Sequence, residues 1–509
     1  MGVNKARYLM ALDFGTGAGR CVVISVDGKE HYSAYHEWAF DAPRNAQPGG
    51  FSFDPGKFWQ VLGQVSREAM QKGGIRAEQV VAVSTTSLRE GFVLLDAAGE
   101  EIWAVPNRDA RAFMESIELH PKLGQQMNDV SGHWINPIMA PARLLWLKRH
   151  DPGVLERART LLMINDWMLY RLCGEKACEP SNAAETCVYD ICRNEWSAEL
   201  IEACGMPREI FPAIVRGGEV LGRVTAEAAA VTGLAVGTPV VVGGADTQCG
   251  VLGSGVLEAG ETAVIAGTST PIQMALDKPI IDKQGRTWSG PHIPRRRWVL
   301  ESNAGLSGST QRWFRDSFFG ADMANAKNAG RDAYELMAEE AERSPIGSAG
   351  VVCLLGGALF NASRPFERHL EGFVLTNYSA TIAETDSRRH FARSILESHA
   401  FAVRANCEQL QAISGRAVDR VTVCGGWSGS DYWTQMLADC LGVPVERPAV
   451  AEATSAGAIV CAGVGAGEYG DMSEAVQALV VKRAPLEPDV TNGAAYDQAY
   501  KLWRSLYAS

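Results

Sequence analysis

Twice in this chain an apolar strand runs straight into an aspartate beside glycines: Asp13 in YLMALDFGTGAGR and Asp246 in PVVVGGADTQCG. A charge at the end of a buried strand is costly unless it has a partner or a task. Glycines at such a place let the backbone approach a ligand and turn N–H groups toward it. The segments around both aspartates read as strands followed by alternating strand and helix, which predicts an α/β layer structure. The doubling predicts two similar α/β domains facing each other across a cleft, 1–252 and 253–509.

The local signals agree. YLMALDF, GRCVVISV and HYSAYHEWAF read as three strands, the last two joined by a hairpin at Asp27-Gly28. Asp54-Pro55 reads as an N-cap and first helical residue, and QVVAVSTT as a buried strand. In the second half PVVVGGADTQCG reads as a strand entering a glycine-rich turn, with further strands at GETAVIAG, RWVLESN and RVTVCGG. Helices are expected at 308–317 and 331–343, at SDYWTQMLADCL and at the small-residue run EATSAGAIVCAGVGAG.

Composition narrows the partners. Of 509 residues 46% are hydrophobic and 21% charged, ordinary for a globular protein. A net charge of −11 argues against nucleic acid or an anionic membrane surface. It does not argue against phosphate, which backbone N–H groups can hold. The 12 cysteines are scattered through apolar runs and read as reduced thiols of a cytoplasmic protein. Cys173, Cys178, Cys187 and Cys192 are spaced more widely than a structural zinc site usually is. Asp13 interrupts the first apolar run too early for a signal peptide, and the sixth residue, Ala6, breaks a myristoylation pattern.

Four motifs carry chemistry. In LDFGTGAGR, Gly15, Gly17 and Gly19 form a tight turn, Thr16 adds a hydroxyl and Arg20 a cation, and Asp13 could hold Mg2+. In GGADTQCG, Asp246 could accept a proton from a hydroxyl as that hydroxyl is phosphorylated. AGTST, Ala266–Thr270, offers further phosphate donors, and CGGWSGSDYW leaves room beside Gly425 and Gly426 for a flat ring. Each also has a plainer reading: a glycine hairpin, a capping aspartate, a polar turn, tight strand-to-helix packing. No G-x-G-x-x-G opens a helix, which excludes a dinucleotide-binding dehydrogenase.

Taken in order, the four motifs resemble the FGGY carbohydrate kinases of the actin-like (ribonuclease H-like) ATPase fold. The resemblance implies ATP and Mg2+ as cofactors. It implies that Asp13, Gly15, Thr16, Gly17 and Arg20 face the metal and phosphates, and that Asp246 is the catalytic base and a second metal contact. It places Gly267 and Thr268 on the phosphates, and Gly425, Gly426 and Ser428 near the adenine. Arg89, Glu90, Asn107 and Gln248, with Asp246, would contact the acceptor. The implied partner is a small sugar or polyol, with no nucleic acid and no membrane, and a homodimer is compatible with it.

Arg89-Glu90 matches a pair that glycerol kinases place on polyol hydroxyls, where a guanidinium fork and a carboxylate supply donors and acceptors together. Asn107, before Arg108, Asp109 and Arg111, stands where glycerol kinases and xylulokinases carry Trp. Ile138 and Arg143 replace a Tyr and a Lys of glycerol kinases. SLREGFVLL, IWAVPNRDAR, MINDWMLY and PSNAAET look most like autoinducer-2 kinases, whose acceptor is a hydrated linear five-carbon dihydroxy-dione. GGALFNASRPFERHLEGFVLTN looks more like xylulokinases, so another pentulose or a tetritol stays open as the acceptor. The alternative of a different class is an actin-fold ATP-binding sensor. Loss of the base or of a phosphate turn would be expected there, and all are present. A peptide-binding chaperone would need a large domain after the last motif, for which the sequence leaves no room.

Overall fold

The computed structural model describes residues 6–42, 48–328, 330–367, 369–377, 387–450 and 452–507. Residues 1–5, where the reading of the N-terminus begins, and Arg368 of the xylulokinase-like stretch lie outside them. The chain divides into two compact units. The first runs to Ala259 and adds Ala275–Val299 and Glu452–Val481; the second comprises Gly260–Met274, Leu300–Ala451 and Lys482–Ser509.

The first unit is built on a six-stranded sheet. Its strand order is Val220–Arg223, Pro239–Ala245, Val80–Ser87, Tyr8–Phe14, Ala18–Ser25 and His31–Glu37. Tyr8–Phe14 and Pro239–Ala245 both run parallel to Val80–Ser87, one on each side of it. Period-two alternation then sorts the side chains. Tyr8, Met10, Leu12 and Phe14 enter one core with Phe58, Leu62 and Val65 of the helix Pro55–Lys72. Leu9 and Ala11 enter another with Ile459 and Val460 of the helix Ala453–Gly465. Asp54 caps the first of these helices, accepting from the Lys57 amide, and Pro55 follows it as expected.

Here the doubled motif receives a different explanation. The Asp13 and Asp246 strands do not belong to two similar domains; they lie in one sheet and flank one central strand. The counterpart of the first hairpin is in the second unit. There Thr262–Ile265 pairs antiparallel with Pro271–Leu276 and parallel with Val421–Cys424, which in turn pairs parallel with Val445–Glu446. A sequence pattern of strand, acid and glycine cannot separate these cases, because it marks a strand end and not the sheet that holds it.

DTQCGVLG also differs from the expected turn. Asp246–Gly253 is a helix, with Ala245 as N-cap. It packs on Ala453–Gly465 at backbone contact: a Cβ on Gly253 would meet the Ala453 carbonyl oxygen at 1.9 Å, and one on Gly457 would meet the Cys249 carbonyl oxygen at 2.0 Å. Small residues on both helices permit that approach. The expected helices in the second unit are Ser307–Phe318, Ala333–Glu342 and Asp431–Leu441. A 27-residue helix, Arg388–Ser414, was not anticipated. All 12 cysteines are free thiols, and among the described residues no helix is long and apolar enough to cross a membrane.

Candidate active site

Three parallel strands end side by side in the first unit. Asp13 pairs in register with Thr86, and Ala245 with Ser87. Asp13 and Asp246 therefore sit at the carboxyl ends of strands on either side of Ser87, two residues before Arg89. Ligands of open α/β sheets collect at such ends.

Both acids are strained electrostatically. Burial pushes Asp13 above the ordinary carboxylate range, opposed by Arg20, whose Nη1 donates to Asp13 Oδ2 at 3.1 Å. Burial pushes Asp246 up to about 6; Arg89 opposes the shift and the nearby Asp13 adds to it. Two neighbouring carboxylates in a dry site favour a proton or a cation between them. Among the described residues no group of three or more His, Cys, Asp or Glu side chains could hold a metal ion.

The glycine turn is closed by its own backbone. The Gly15 amide donates to the Ala18 carbonyl at 3.0 Å, and Trp38 Nε1 donates to the Gly15 carbonyl at 3.0 Å. The glycines differ in purpose. A Cβ on Gly19 would strike the Trp38 ring at 2.4 Å, so that glycine serves packing, while Gly17 is exposed with open space around it. Thr16 Oγ1 accepts from Asn107 Nδ2 at 3.2 Å, which brings an expected phosphate residue and an expected acceptor residue together.

Arg89 and Glu90 are both buried. Glu90 holds a left-handed backbone with φ of 60°, uncommon for any residue but glycine, asparagine or aspartate. Arg89 Nη1 reaches Glu185 Oε1 at 3.2 Å, and its guanidinium lies 5.5 Å from the centre of the Trp288 ring. His133 Nε2 lies 3.6 Å from Glu185 Oε2, and its ring is 5.3 Å from Trp288. Burial pushes the Glu185 carboxyl up, but Arg89 and His133 outweigh it and hold it below the ordinary range. A Cβ on Gly290 would lie 3.7 Å from His133 Cε1 and 3.9 Å from Gln248 Nε2, so these two groups border one small space. Gln248 Oε1 and Asn107 Oδ1 are buried acceptors without a partner among the described residues, a state that costs free energy until a donor arrives.

Sequence reasoning singled out Arg89, Glu90, Asn107, Asp246 and Gln248 as candidates, but not Glu185, His133 or Trp288. Glu185 follows PSNAA, a run of small residues that leaves little room for a solvated acid; that was a usable signal. His133 and Trp288 carried none, since a lone aromatic is ordinarily core.

In the second unit the two expected nucleotide turns touch. The Ala266 amide donates to the Cys424 carbonyl at 2.8 Å, and a Cβ on Gly425, whose φ is 87°, would meet the Ala266 carbonyl oxygen at 2.6 Å. Gly308, in the first turn of the helix Ser307–Phe318, packs against the Gly267 carbonyl. The Ser309 amide donates to the Thr268 carbonyl at 3.3 Å. Gly426 faces open space, while the Ser428 hydroxyl is taken up by the Gly425 carbonyl at 2.7 Å.

Comparison with known proteins gives concordant matches. Residues 8–253 match the N-terminal domain, and residues 262–466 the C-terminal domain, of the FGGY family of carbohydrate kinases. Autoinducer-2 kinase of Salmonella typhimurium is 36% identical over 508 residues, covering 99% of this chain and 94% of that protein. Autoinducer-2 kinase of Yersinia enterocolitica is 35% identical, with 98% and 94% covered. Xylulose kinase from Rhodospirillum rubrum has a similar structure, with a TM-score of 0.83, 25% identity, and 99% and 98% of the two chains covered.

Proposed function

This chain belongs to the FGGY family of carbohydrate kinases and is an ATP-dependent sugar kinase, and we propose that its acceptor is autoinducer-2, with Asp246 as the base that activates the acceptor hydroxyl. The observation that carries the proposal is the buried set Arg89, Glu185, His133 and Trp288 beside Asp246. A linear acceptor rich in hydroxyls needs closely spaced donors and acceptors. Arg89 supplies the donors, Glu90 and Glu185 the charged acceptors, and Gln248 and Asn107 two amide oxygens that await donors.

The chemistry follows from these positions. The acceptor oxygen attacks the γ-phosphorus of ATP as the β–γ bridging bond breaks, and its proton passes to the Asp246 carboxylate. Burial raises the basicity of that carboxylate, and Arg89 keeps the rise moderate, so Asp246 is ionised near neutral pH yet more basic than an exposed aspartate. Asp13 and Asp246, two buried carboxylates pushed up together, fit a divalent cation that takes its remaining ligands from water and phosphate oxygens. Bound Mg2+ would draw charge from the phosphates. Thr16, Gly17 and Arg20 are assigned to the phosphates, as are Gly267 and Thr268. Gly425 and Gly426 are assigned to the adenine.

The test is ADP release in a coupled assay across C3 to C6 polyols, ketoses and the autoinducer-2 precursor. Release that depends on the precursor supports the proposal. Dependence on xylulose or another pentulose moves the acceptor to the xylulokinase class, and a flat response to every compound overturns the acceptor reading.

A further inference from the structure

A cavity of about 210 Å³ opens in the first unit, and none of Asp13, Arg89, Glu185, Asp246 and Gln248 lines it. Its wall is basic. Arg216 and Arg296 both line it, and neither guanidinium has a hydrogen bond or ion pair among the described residues, although each backbone carbonyl accepts one. Their neighbours are committed: Arg295 reaches Glu219 at 2.7 Å and Arg297 reaches Glu258 at 2.7 Å. The acid in the wall, Glu179, is pushed up to about 8, chiefly by burial, and its Oε2 is taken up by the Ser181 amide at 2.8 Å and the Asn182 amide at 3.2 Å.

Other groups narrow the ligand. His292 lines the cavity and is 3% exposed. Its Nε2 lies 3.2 Å from the Val256 carbonyl. A carbonyl only accepts, so Nε2 carries the proton and Nδ1 is a bare acceptor. Nδ1 is buried with no partner. Trp298 also lines the cavity, its indole N–H held by the Ile191 carbonyl at 2.9 Å. Two lining residues that are not glycine, Asn194 and Arg296, hold left-handed backbones with φ of 59° and 56°. Such strain gathers where a ligand is held.

Two uncommitted guanidinium groups suit a phosphate, and an indole in the lining suits the C–H face of a sugar. We propose that this cavity is a second ligand site, separate from that of phosphoryl transfer, which takes a small phosphorylated sugar or polyol. The site is linked by contact to the catalytic strand. Ile293 lines the cavity, and a Cβ on Gly244 would meet Ile293 Cδ1 at 2.2 Å, two residues before Asp246. Gly217, also in the lining, packs against the Gly243 carbonyl. A ligand there presses on the strand that positions the base, so it acts as an effector of the same chemical class as the product. That effector role, though not the site, rests on the kinase reading above.

Calorimetry with ribose 5-phosphate tests the site, with ribose and inorganic phosphate as separate arms. An Arg89→Ala variant, weakened on the acceptor side, should still take up ribose 5-phosphate. The double variant R216Q/R296Q should lose at least tenfold in affinity while its kcat/KM without that ligand matches the wild type. Ribose and phosphate alone should each bind at least tenfold more weakly. Undiminished binding by R216Q/R296Q, or no binding by Arg89→Ala, overturns the site. Phosphate binding as tightly as ribose 5-phosphate overturns the sugar specificity. Hydrogen exchange on the wild-type protein guards against a misfolded variant: saturating ribose 5-phosphate should protect residues 291–298, and no protection overturns the proposal. Binding is read without turnover, so failure of the kinase reading leaves this result distinct.

Discussion

Arg143 Nη1 donates to the backbone carbonyl of Glu90 at 2.7 Å. The same guanidinium bonds the carbonyls of Pro106 at 2.7 Å and Asp109 at 2.6 Å, and it is fully buried. One planar fork thus ties the left-handed turn at Glu90 to the segment that carries Asn107. Burial pulls Arg143 down to about 10, still charged at neutral pH. Arg143→Lys keeps the charge but loses the fork, leaving buried carbonyls unpaired at ~1–3 kcal/mol each. The expected outcome is a loss of ~2–4 kcal/mol in urea unfolding and at least a tenfold fall in kcat/KM for the acceptor. An acceptor kcat/KM within twofold of wild type would show that Glu90 does not depend on Arg143.

Glu90 itself separates strain from function. Its φ of 60° costs about 1 kcal/mol in a residue with a Cβ. Glu90→Gly should keep or raise unfolding stability by ~1 kcal/mol while the acceptor KM rises at least tenfold. Stability and acceptor affinity falling together would make Glu90 a structural residue.

The acid limb of activity should follow Asp246. Its carboxyl, pushed up to about 6 chiefly by burial, must be ionised to accept a proton. In the free enzyme, kcat/KM for the acceptor should fall tenfold per pH unit below about 6 and level off above it. A profile flat to pH 4.5 rejects Asp246 as the base. Asp246→Asn should lower kcat by ~10²–10⁴-fold while leaving ATP affinity within threefold.

The same carboxyl links pH to stability with a definite sign. Its folded value exceeds the ordinary ~3.9, so the ionised form favours the unfolded chain. The cost is absent below ~3.9, grows as pH rises, and is complete above about 6. A shift of about two units bounds it at ~3 kcal/mol. Without nucleotide or divalent cation, Asp246→Asn should therefore melt higher than wild type at pH 8 and alike at pH 4. Equal melting at both would mean Asp246 is solvated in the folded protein.

How much of this was legible in the sequence depends on the residue. Asp13, Arg89 and Asp246 could be read because each ends an apolar strand, where a charge is conspicuous. Their shared sheet could not, since the strands of Asp13 and Asp246, which flank Val80–Ser87, lie far apart in the chain. The Arg388–Ser414 helix was obscured by its own burial: Arg393, Glu397 and His399 are buried on it, which blurs a 3.6-residue apolar period. Arg393 Nε bonds Glu397 Oε1 at 2.7 Å, a pairing that only the folded helix reveals. His133 became visible as a site residue only when the fold set it beside Glu185 and Trp288.

Two glycines of the second unit should divide packing from binding. A Cβ on Gly308 would stand 2.2 Å from the Gly267 carbonyl oxygen and 3.2 Å from Thr268 Cα, whereas a Cβ on Gly426 would meet nothing within 4 Å. Gly308→Ala must therefore move the Gly267–Thr268 turn. It should raise the ATP KM at least tenfold and lower stability by ~1–3 kcal/mol, as overpacking usually does. Gly426→Ala has no neighbour to displace, so its unfolding free energy should stay within ~0.5 kcal/mol of wild type. If adenine lies against Gly426, the added methyl group intrudes on the ring and the ATP KM rises at least fivefold with stability unchanged. Both KM values unchanged, measured at saturating acceptor, would remove these turns from the nucleotide site.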